Sequence, residues 1–345
     1  MATLNSLNSL VYTHFLGIDV SKLTLDFCLI DSEGKIIEQS QIPNSLDSWS
    51  KIQTLLTKHG LSVEAVLICG EHTGMYTYHL MSWSAQGAQV WVESGKAIKH
   101  SQGISRGKND AKDATRIALY AQRFVKKAQL WQPLSETIET LRYLRALRER
   151  LLRAFNAIAV PMKEQKNFMK DNHFQMLEKL TDPATEAIKE QIKTIEQKIM
   201  QTIENDDNLK NQLALLDSIP GIGATTAIGL IIKTQGFTAF KNGRQLACHA
   251  GIAPFDYRSG SSIKAKMEVS FHADKDLKAM LHLCAMAAVR TKGIIQDYYK
   301  RKILEGKSKM SALNAVRNKI VLIAFAVIKN NNLFDNKFQF SFEIS

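Results

Sequence analysis

The chain has 345 residues, with 45 Lys and Arg against 33 Asp and Glu, which gives a formal net charge of +12 at pH 7. This length allows two or three domains with a sizeable core, and a hydrophobic fraction of 45% is ordinary for a water-soluble protein. The charge favours a polyanionic partner, most simply nucleic acid, over general solubility.

The sequence shows no pattern for secretion, membrane insertion or structural zinc. The start, MATLNSLNSLVYTHF, lacks a basic region followed by a long apolar stretch, and the longest apolar runs, such as 320–328, are too short to span a bilayer. The cysteines have no His or second Cys at ligand spacing. We therefore expect a cytoplasmic protein without a membrane partner, whose cysteines are reduced core residues. They are Cys28, Cys69, Cys248 and Cys284.

The first hundred residues predict an α/β sheet. Hydrophobic alternation and turn residues define the strands, and helical patterns separate some of them. The predicted elements are two strands within 14–31, a strand over 35–42, a helix over 48–59, a short buried strand within 64–74, a helix over 75–87 and a strand over 88–94. Because helices and strands alternate here, we expect some strands to be parallel.

Helices are predicted for most of the remaining chain. A helix is expected over 111–125, a long one from Ser135 to about Lys170, and a second long one from Pro183 to about Ile203. Narrow apolar stripes on two long charged helices favour an antiparallel hairpin or an oligomerisation coil over a plain bundle. We predict three segments: an α/β domain over 1–132, a region of long helices over 133–208, and a C-terminal domain over 209–345.

Four acidic residues stand at positions suited to metal binding. Asp19 ends the first strand, Glu71 ends a later buried strand, and Asp110 and Asp113 lie three residues apart on the following helix. Strand ends and nearby helix starts converge at one edge of an α/β sheet. Carboxylates gathered there would suit a pair of Mg²⁺ ions that assist phosphoryl transfer.

Structural roles are the alternative for each acid taken singly. Asp110 suits the N-cap of an apolar-periodic helix, and Asp19 suits a turn after the strand. The Gly-Glu pair after VLIC is harder to explain structurally, because it puts a charge where a core residue would cost less.

The contexts of all four acids resemble those of a known family. GIDVSK, CGEHTGMY and RGKNDAKDATRIA are similar to the RuvC-like, or RNase H-like, N-terminal domain of insertion sequence 110 family transposases. In that family the order is Asp, Glu, Asp, Asp, and the acids bind Mg²⁺. The resemblance implies that Asp19, Glu71, Asp110 and Asp113 are metal ligands and catalytic residues.

The segment IPGIGATTA (219–227) is typical of a helix-hairpin-helix. Gly221 and Gly223 permit a tight turn, and backbone N–H groups at the following helix start can meet a phosphate. An ordinary glycine-rich helix connection is the alternative.

A polar loop with several serines follows Pro254. Chemistry alone permits a linker, or a serine nucleophile whose phosphate is neutralised by Arg258, Lys264 and Lys266. AGIAPFDYRSGSS resembles the C-terminal domain of the same transposase family, where a serine attacks DNA and forms a covalent phosphoserine. The resemblance implies that Ser259 is the nucleophile. Because Arg258 and Ser261 depart from the family's Ser-Ser-Gly-Gly-Lys pattern, Ser261 and Ser262 remain candidates.

The resemblance implies a fold and a function for the whole chain. It implies an α/β RuvC-like domain, a long helical coiled-coil middle and a mainly α-helical C-terminal domain with the helix-hairpin-helix. It also implies a transposase or site-specific recombinase with one composite active site, acting on donor and target double-stranded DNA under the direction of an element-encoded bridge RNA. The expected assembly is a dimer that becomes a tetramer.

Three other functions remain open. A DNA invertase would use the same residues on inverted sites. A Holliday junction resolvase-like nuclease would use the four acids and water, without the serine. A non-catalytic nucleic-acid-binding protein would depend on the glycine loop and the net charge alone.

Overall fold

The computed structural model describes residues 12–101, 110–253, 258–259, 263–264 and 273–335, with backbone alone at 110–111, 258–259 and 263–264. The chain divides into two compact units, Met1–Pro133 and Leu134–Ser345. The predicted boundaries of three segments stay a prediction.

A five-stranded mixed sheet forms the first unit. Its strands are β1 (His14–Val20), β2 (Thr24–Asp31), β3 (Ile36–Pro43), β4 (Val66–Glu71) and β5 (Gln89–Glu93). The order across the sheet is β3-β2-β1-β4-β5. The first three strands are antiparallel, whereas β4 runs parallel to β1 and β5 parallel to β4. This is the RNase H-like order, and the predicted strands are confirmed.

The helices of the first unit cover both faces of this sheet. They are α1 (Ser48–Lys58), α2 (Tyr78–Ser82), α3 (Gly95–His100) and α4 (Asp110–Arg123). Trp49 and Ile52 of α1 pack with Leu16 and Ile18 on one face. The opposite face packs against α4, through Ala114 and Ala118 among others. Alternate residues of each strand therefore belong to different cores.

The helix predicted over 75–87 is confirmed as an α-helix only at Tyr78–Ser82. The chain forms a 3₁₀ turn at Gly74–Thr77, the short helix α2, and a second 3₁₀ turn at Trp83–Gln86. The Thr77 hydroxyl accepts a hydrogen bond from the Thr73 N–H at 2.9 Å. Such side-chain bonds compete with regular helical bonds, and this one closes a tight turn at the start of the segment.

The second unit is mostly helical. Its helices are α5 (Glu136–Gln165), α6 (Asp171–Glu204), α7 (Asp207–Asp217), α8 (Ala224–Thr234), α9 (Gly243–His249), α10 (Lys275–Ala288), α11 (Ile294–Leu304) and α12 (Lys309–Asn330). A two-stranded ribbon of β6 (Arg258–Ser259) and β7 (Ile263–Lys264) interrupts them. The core gathers buried residues from α5 to α12.

Helices α5 and α6 form an antiparallel hairpin. Arg148 of α5 bonds to Glu196 of α6 at 2.7 Å, and Lys189 of α6 lies 5.5 Å from the ring centre of Phe155 of α5. The first pair lies far from the connecting turn and the second lies nearer to it, as an antiparallel pair requires. A coiled-coil geometry stays a prediction.

The predicted start of the second long helix at Pro183 is wrong, because α6 begins at Asp171 and contains Pro183. A proline favours a helix start, but inside a helix it removes one backbone bond and is tolerated when packing compensates. Here the inward positions continue through it at three- and four-residue steps, with half-buried Leu177 and Thr181 before it and buried Thr185 after it.

Two further expectations need correction. Cys248 is exposed, whereas Cys28, Cys69 and Cys284 are buried as predicted; on α9 the core positions belong to Leu246 and Ala247. The apolar run 320–328 belongs to the 22-residue α12, which is long and apolar enough to cross a membrane by length and composition. Half of its apolar window is buried within the protein, as expected of a core helix.

Candidate active site

Asp19 and Glu71 lie side by side at the ends of two parallel strands. The register pairs Ile18 of β1 with Gly70 of β4, so the next residues of the two strands are neighbours. Both side chains are half-buried. Since Ile18 belongs to the core on the other face, alternation places Asp19 and Glu71 on the face that packs against α4.

Helix α4 carries Asp113 to the same end of the sheet. Gly17 of β1 lies so close to Ala114 and Ala118 that a β-carbon at Gly17 would overlap the helix backbone. Near the other end of α4, Gln122 donates a 2.7 Å hydrogen bond to the Ser32 carbonyl, beside the start of β1. The helix therefore runs opposite to β1, and Asp113 lies on the Asp19 side of Gly17.

The described acids do not by themselves form a metal-binding group. Among the residues that the structure describes, no three His, Cys, Asp or Glu side chains lie close enough to hold a metal ion. Asp110 begins α4, but its side chain lies outside the description. Asp113 is held by Arg116 in a 2.6 Å ion pair, with both side chains about one quarter exposed.

The structure adds two carboxylates that the sequence did not single out. Asp26 pairs with Asp19, and Glu93 pairs with Glu71, so four acids lie in one row across the sheet. Strand alternation predicts the face on which these two carboxylates lie. Their position beside Asp19 and Glu71 also depends on which strands are neighbours. Gln41 donates to both Asp26 carboxylate oxygens, at 3.1 and 3.0 Å.

Glu93 is also occupied by donors from the protein. It accepts a 2.7 Å bond from the Ser94 N–H and a 3.3 Å bond from the Tyr120 hydroxyl. Burial raises the pKa of Tyr120 to about 12, and Glu93 adds to that shift. The phenol therefore stays protonated at neutral pH and donates to Glu93.

The two glycines predicted to bind phosphate have different surroundings in the structure. Gly221 has φ +89°, and a β-carbon there would overlap the Cys284 carbonyl and Ala288 of α10. It therefore serves a turn packed against α10. Gly223 precedes α8 and has nothing within 4 Å of a β-carbon placed on it. Of the two, Gly223 has the open surroundings that an approaching phosphate needs.

The predicted nucleophile lies on a strand, where the sequence suggested a plain loop. Ser259 pairs with Ile263, and Arg258 with Lys264, in the ribbon β6–β7. Their side chains, and all of Ser261, Ser262 and Lys266, lie outside the described residues.

A hydrogen bond joins the chain on the two sides of this serine-bearing segment, residues 254–272. The Asp274 N–H donates to the His249 carbonyl at 3.0 Å. The Asp274 carboxylate caps α10 through the Leu277 N–H at 3.0 Å and accepts a 2.6 Å bond from Lys233 of α8. Asp274 is therefore held by an ion pair and a helix cap within the protein.

Two family models match the sequence. A transposase model of the DEDD, IS110 type matches residues 16–165, and the model described as the transposase IS116/IS110/IS902 family matches residues 213–300. The first range contains the four predicted metal ligands, and the second contains the glycine loop and the serine-bearing segment. Together the two matches cover more than half of the chain.

Curated relatives extend this similarity along the chain. The pilin gene-inverting protein of Moraxella bovis is 25% identical over 327 residues, covering 94% of this chain and 98% of the relative. The transposase for insertion sequence element IS1111A of Coxiella burnetii is 22% identical over 345 residues, covering 92% and 90%. The uncharacterized 43.6 kDa protein of insertion element IS110 from Streptomyces coelicolor is 27% identical over 131 residues, covering 38% and 32%.

Proposed function

Because the chain belongs to the IS110 family of transposases, enzymes that cleave and transfer DNA strands, we propose that it moves an insertion sequence by a serine-dependent, metal-assisted reaction. One observation carries this proposal. Asp19 and Glu71 lie at adjacent ends of parallel strands, on the face packed against the helix that begins at Asp110.

The acidic domain of this family implies a divalent metal, and carboxylates are donors of the right chemistry, although the described side chains alone do not bring three of them together. Asp19, Glu71 and Asp113 offer carboxylate oxygens at one end of the sheet, which are the ligands that Mg²⁺ prefers. We propose two Mg²⁺ ions, held by these residues and Asp110. When bound, such ions polarise a phosphate and stabilise a leaving oxygen. Binding would require Asp113 to exchange its Arg116 partner.

Ser259 is the proposed nucleophile. Its Oγ would attack a phosphodiester phosphorus, so that an Oγ–P bond forms while the bond from phosphorus to the leaving sugar oxygen breaks. The serine proton passes to a base, and the leaving oxygen is released as a hydroxyl. Attack by a hydroxyl of another strand on the phosphoserine would then rejoin DNA and restore the serine.

The remaining proposed contacts concern nucleic acid and assembly. Arg258, Lys264 and Lys266 flank Ser259 and would neutralise phosphate charge, and Gly223 would present backbone N–H groups to a phosphate. The net charge of +12 supports a bridge RNA as well as DNA. The long α5–α6 hairpin supports assembly as a dimer and then a tetramer through a coiled coil.

A DNA invertase is the second candidate function. The similarity to the pilin gene-inverting protein covers 94% of this chain, both units included. An invertase would use the same residues as a transposase, but on inverted sites. A junction resolvase-like nuclease is distinguished by Ser259→Ala, which would leave its water-dependent cutting intact.

The proposal is tested by strand cleavage on plasmids carrying the element's ends, with Mg²⁺ or with EDTA. We expect Asp19→Asn to abolish cleavage and Asp26→Asn to retain it, because Asp26 occupies the same row but is bound by Gln41. Retained cleavage in Asp19→Asn, or in EDTA, would overturn the metal role of the acidic residues. Inverted or transposed products would separate the two candidate functions.

A further inference from the structure

A buried arginine in the second unit has no acidic partner among the described residues. Arg317 lies in the middle of α12 and is 6% exposed. Among the described residues, no carboxylate forms an ion pair with it, and its Nε has no hydrogen-bond partner. Buried charges are normally paired, because removing them from water is costly.

The neighbours of Arg317 are neutral. One guanidinium nitrogen lies 2.9 Å from His282 Nδ1 and 3.5 Å from the Met310 sulfur, and another donates to Asn314 Oδ1 at 3.4 Å. Burial, and then the Arg317 charge, hold the pKa of His282 below its usual range. A neutral imidazole accepts the guanidinium bond at Nδ1, so none of these contacts supplies the negative charge that Arg317 lacks.

A hydrogen-bonded chain connects this guanidinium to the backbone just before the serine-bearing segment. Asn314 accepts from Arg317 and donates a 2.8 Å bond to the Ile252 carbonyl. Ile252 stands two residues before Pro254, where that segment begins. Asn314 and His282 are half-buried and Met310 is 60% exposed, so the guanidinium lies just beneath the surface.

We propose that Arg317 is a phosphate-binding residue, whose guanidinium takes phosphodiester oxygens of nucleic acid at the base of the serine-bearing segment. A planar guanidinium can give a phosphate two parallel hydrogen bonds, and the free Nε belongs to that donor fork. The flexible side chain of Met310 can yield to the ligand. This inference deepens the proposed function, but it concerns binding and not the strand-cleavage step.

The proposal predicts that replacing Arg317 weakens nucleic-acid binding without lowering the stability of the free protein. Arg317→Met replaces an uncompensated buried charge with an apolar chain of similar length, so the free protein should melt at the same or a higher temperature. Its affinity for nucleic acid should fall about ten-fold or more, and the slope of log affinity against log salt should decrease by about one.

The experiment uses the full chain and two readouts, thermal denaturation without ligand and titration of labelled DNA and RNA duplexes at several salt concentrations. Arg301→Gln is the matched control, since it removes the same charge from a side chain that is 65% exposed. We expect this control to change affinity less than three-fold. Inorganic phosphate is a third probe, and it should raise the melting temperature of the wild type and not of Arg317→Met.

The outcomes separate the alternatives. A loss confined to DNA or to RNA identifies the source of the phosphate, whereas a response to inorganic phosphate alone would overturn nucleic acid as the ligand. A lower melting temperature with unchanged affinity would make Arg317 structural. If Arg317→Met does not fold, Arg317→Lys decides, because it keeps the charge but not the fork: unchanged affinity contradicts the proposal. Ser259→Ala should still show Arg317-dependent binding, even if Ser259 is not the nucleophile.

Discussion

The Glu71 carboxylate lies directly against the backbone of Gly95, in the first turn of α3. A β-carbon at Gly95 would overlap Oε1 and Cδ of Glu71. This glycine therefore leaves the space in which one of the proposed metal ligands is held.

We predict that Gly95→Ala separates activity from stability. Alanine is favoured over glycine in a helix by about 0.5–1 kcal/mol, so the melting temperature should not fall. Strand cleavage should fall at least ten-fold, because the new methyl group displaces Glu71. The control Ala97→Gly weakens the same short helix without touching that carboxylate and should retain cleavage. Full activity of Gly95→Ala would show that the position of Glu71 is not critical.

A second prediction concerns the ion pair between Asp113 and Arg116. Removing the cation with Arg116→Gln should free Asp113 for metal, so that half-maximal cleavage needs several-fold less Mg²⁺. Protein stability should change by at most about 1 kcal/mol, since the pair is partly exposed. A Mg²⁺ titration of cleavage measures this shift. An unchanged metal midpoint would contradict a metal role for Asp113.

The two glycines of the α7–α8 loop should behave differently. Gly221→Ala should destabilise the protein by about 1–3 kcal/mol, because it combines a positive φ with overlap against α10. Gly223→Ala should leave stability nearly unchanged and weaken nucleic-acid binding several-fold. Urea unfolding and duplex titration measure the two effects. If Gly223→Ala binds normally, the loop is only a connection between helices.

Acid stability should depend on Lys233 and Asp274. Burial alone would raise the pKa of Asp274, but the Leu277 N–H, Lys233 and His249 together hold it below its usual range. A lowered pKa contributes stability above the unfolded value of about 3.9, and this is lost as pH falls through the folded value. Lys233→Met should therefore lower stability at pH 7 and flatten its decline in acid.

Urea unfolding free energies measured between about pH 7 and pH 2 would check this dependence. Lys292→Met is a suitable control, because it removes a charge from an exposed side chain of the same unit. An identical acid profile in Lys233→Met and the wild type would show that the Lys233–Asp274 pair contributes nothing to folding.

Local pattern was sufficient for much of this fold. Hydrophobic alternation located the strands that carry Asp19 and Glu71, and their parallel pairing followed from the alternation of helices and strands. The 3.6-residue period likewise located α4. These features depend on near neighbours in the chain and on which face is buried.

Contacts between residues that are distant in the sequence could not be predicted from local pattern. The row formed by Asp26 and Glu93 depends on strand register, and the packing of Gly221 depends on α10, which follows it by more than fifty residues. The local preference of Pro183 for a helix start is overridden because α6 packs along α5 on both sides of it. The burial of Arg317, without an ion pair to any described carboxylate, is likewise a tertiary property that no local pattern reveals.

The most direct test of the serine mechanism is a search for a covalent protein–DNA adduct. The full chain would be incubated with Mg²⁺, the element's flanking RNA and labelled donor and target duplexes, then denatured and mapped by mass spectrometry. We predict DNA linked to Ser259, and no adduct in Ser259→Ala or Asp113→Ala. Strand cleavage without any adduct would contradict the serine mechanism and indicate water as the nucleophile, and linkage at Ser261 or Ser262 would contradict the choice of Ser259.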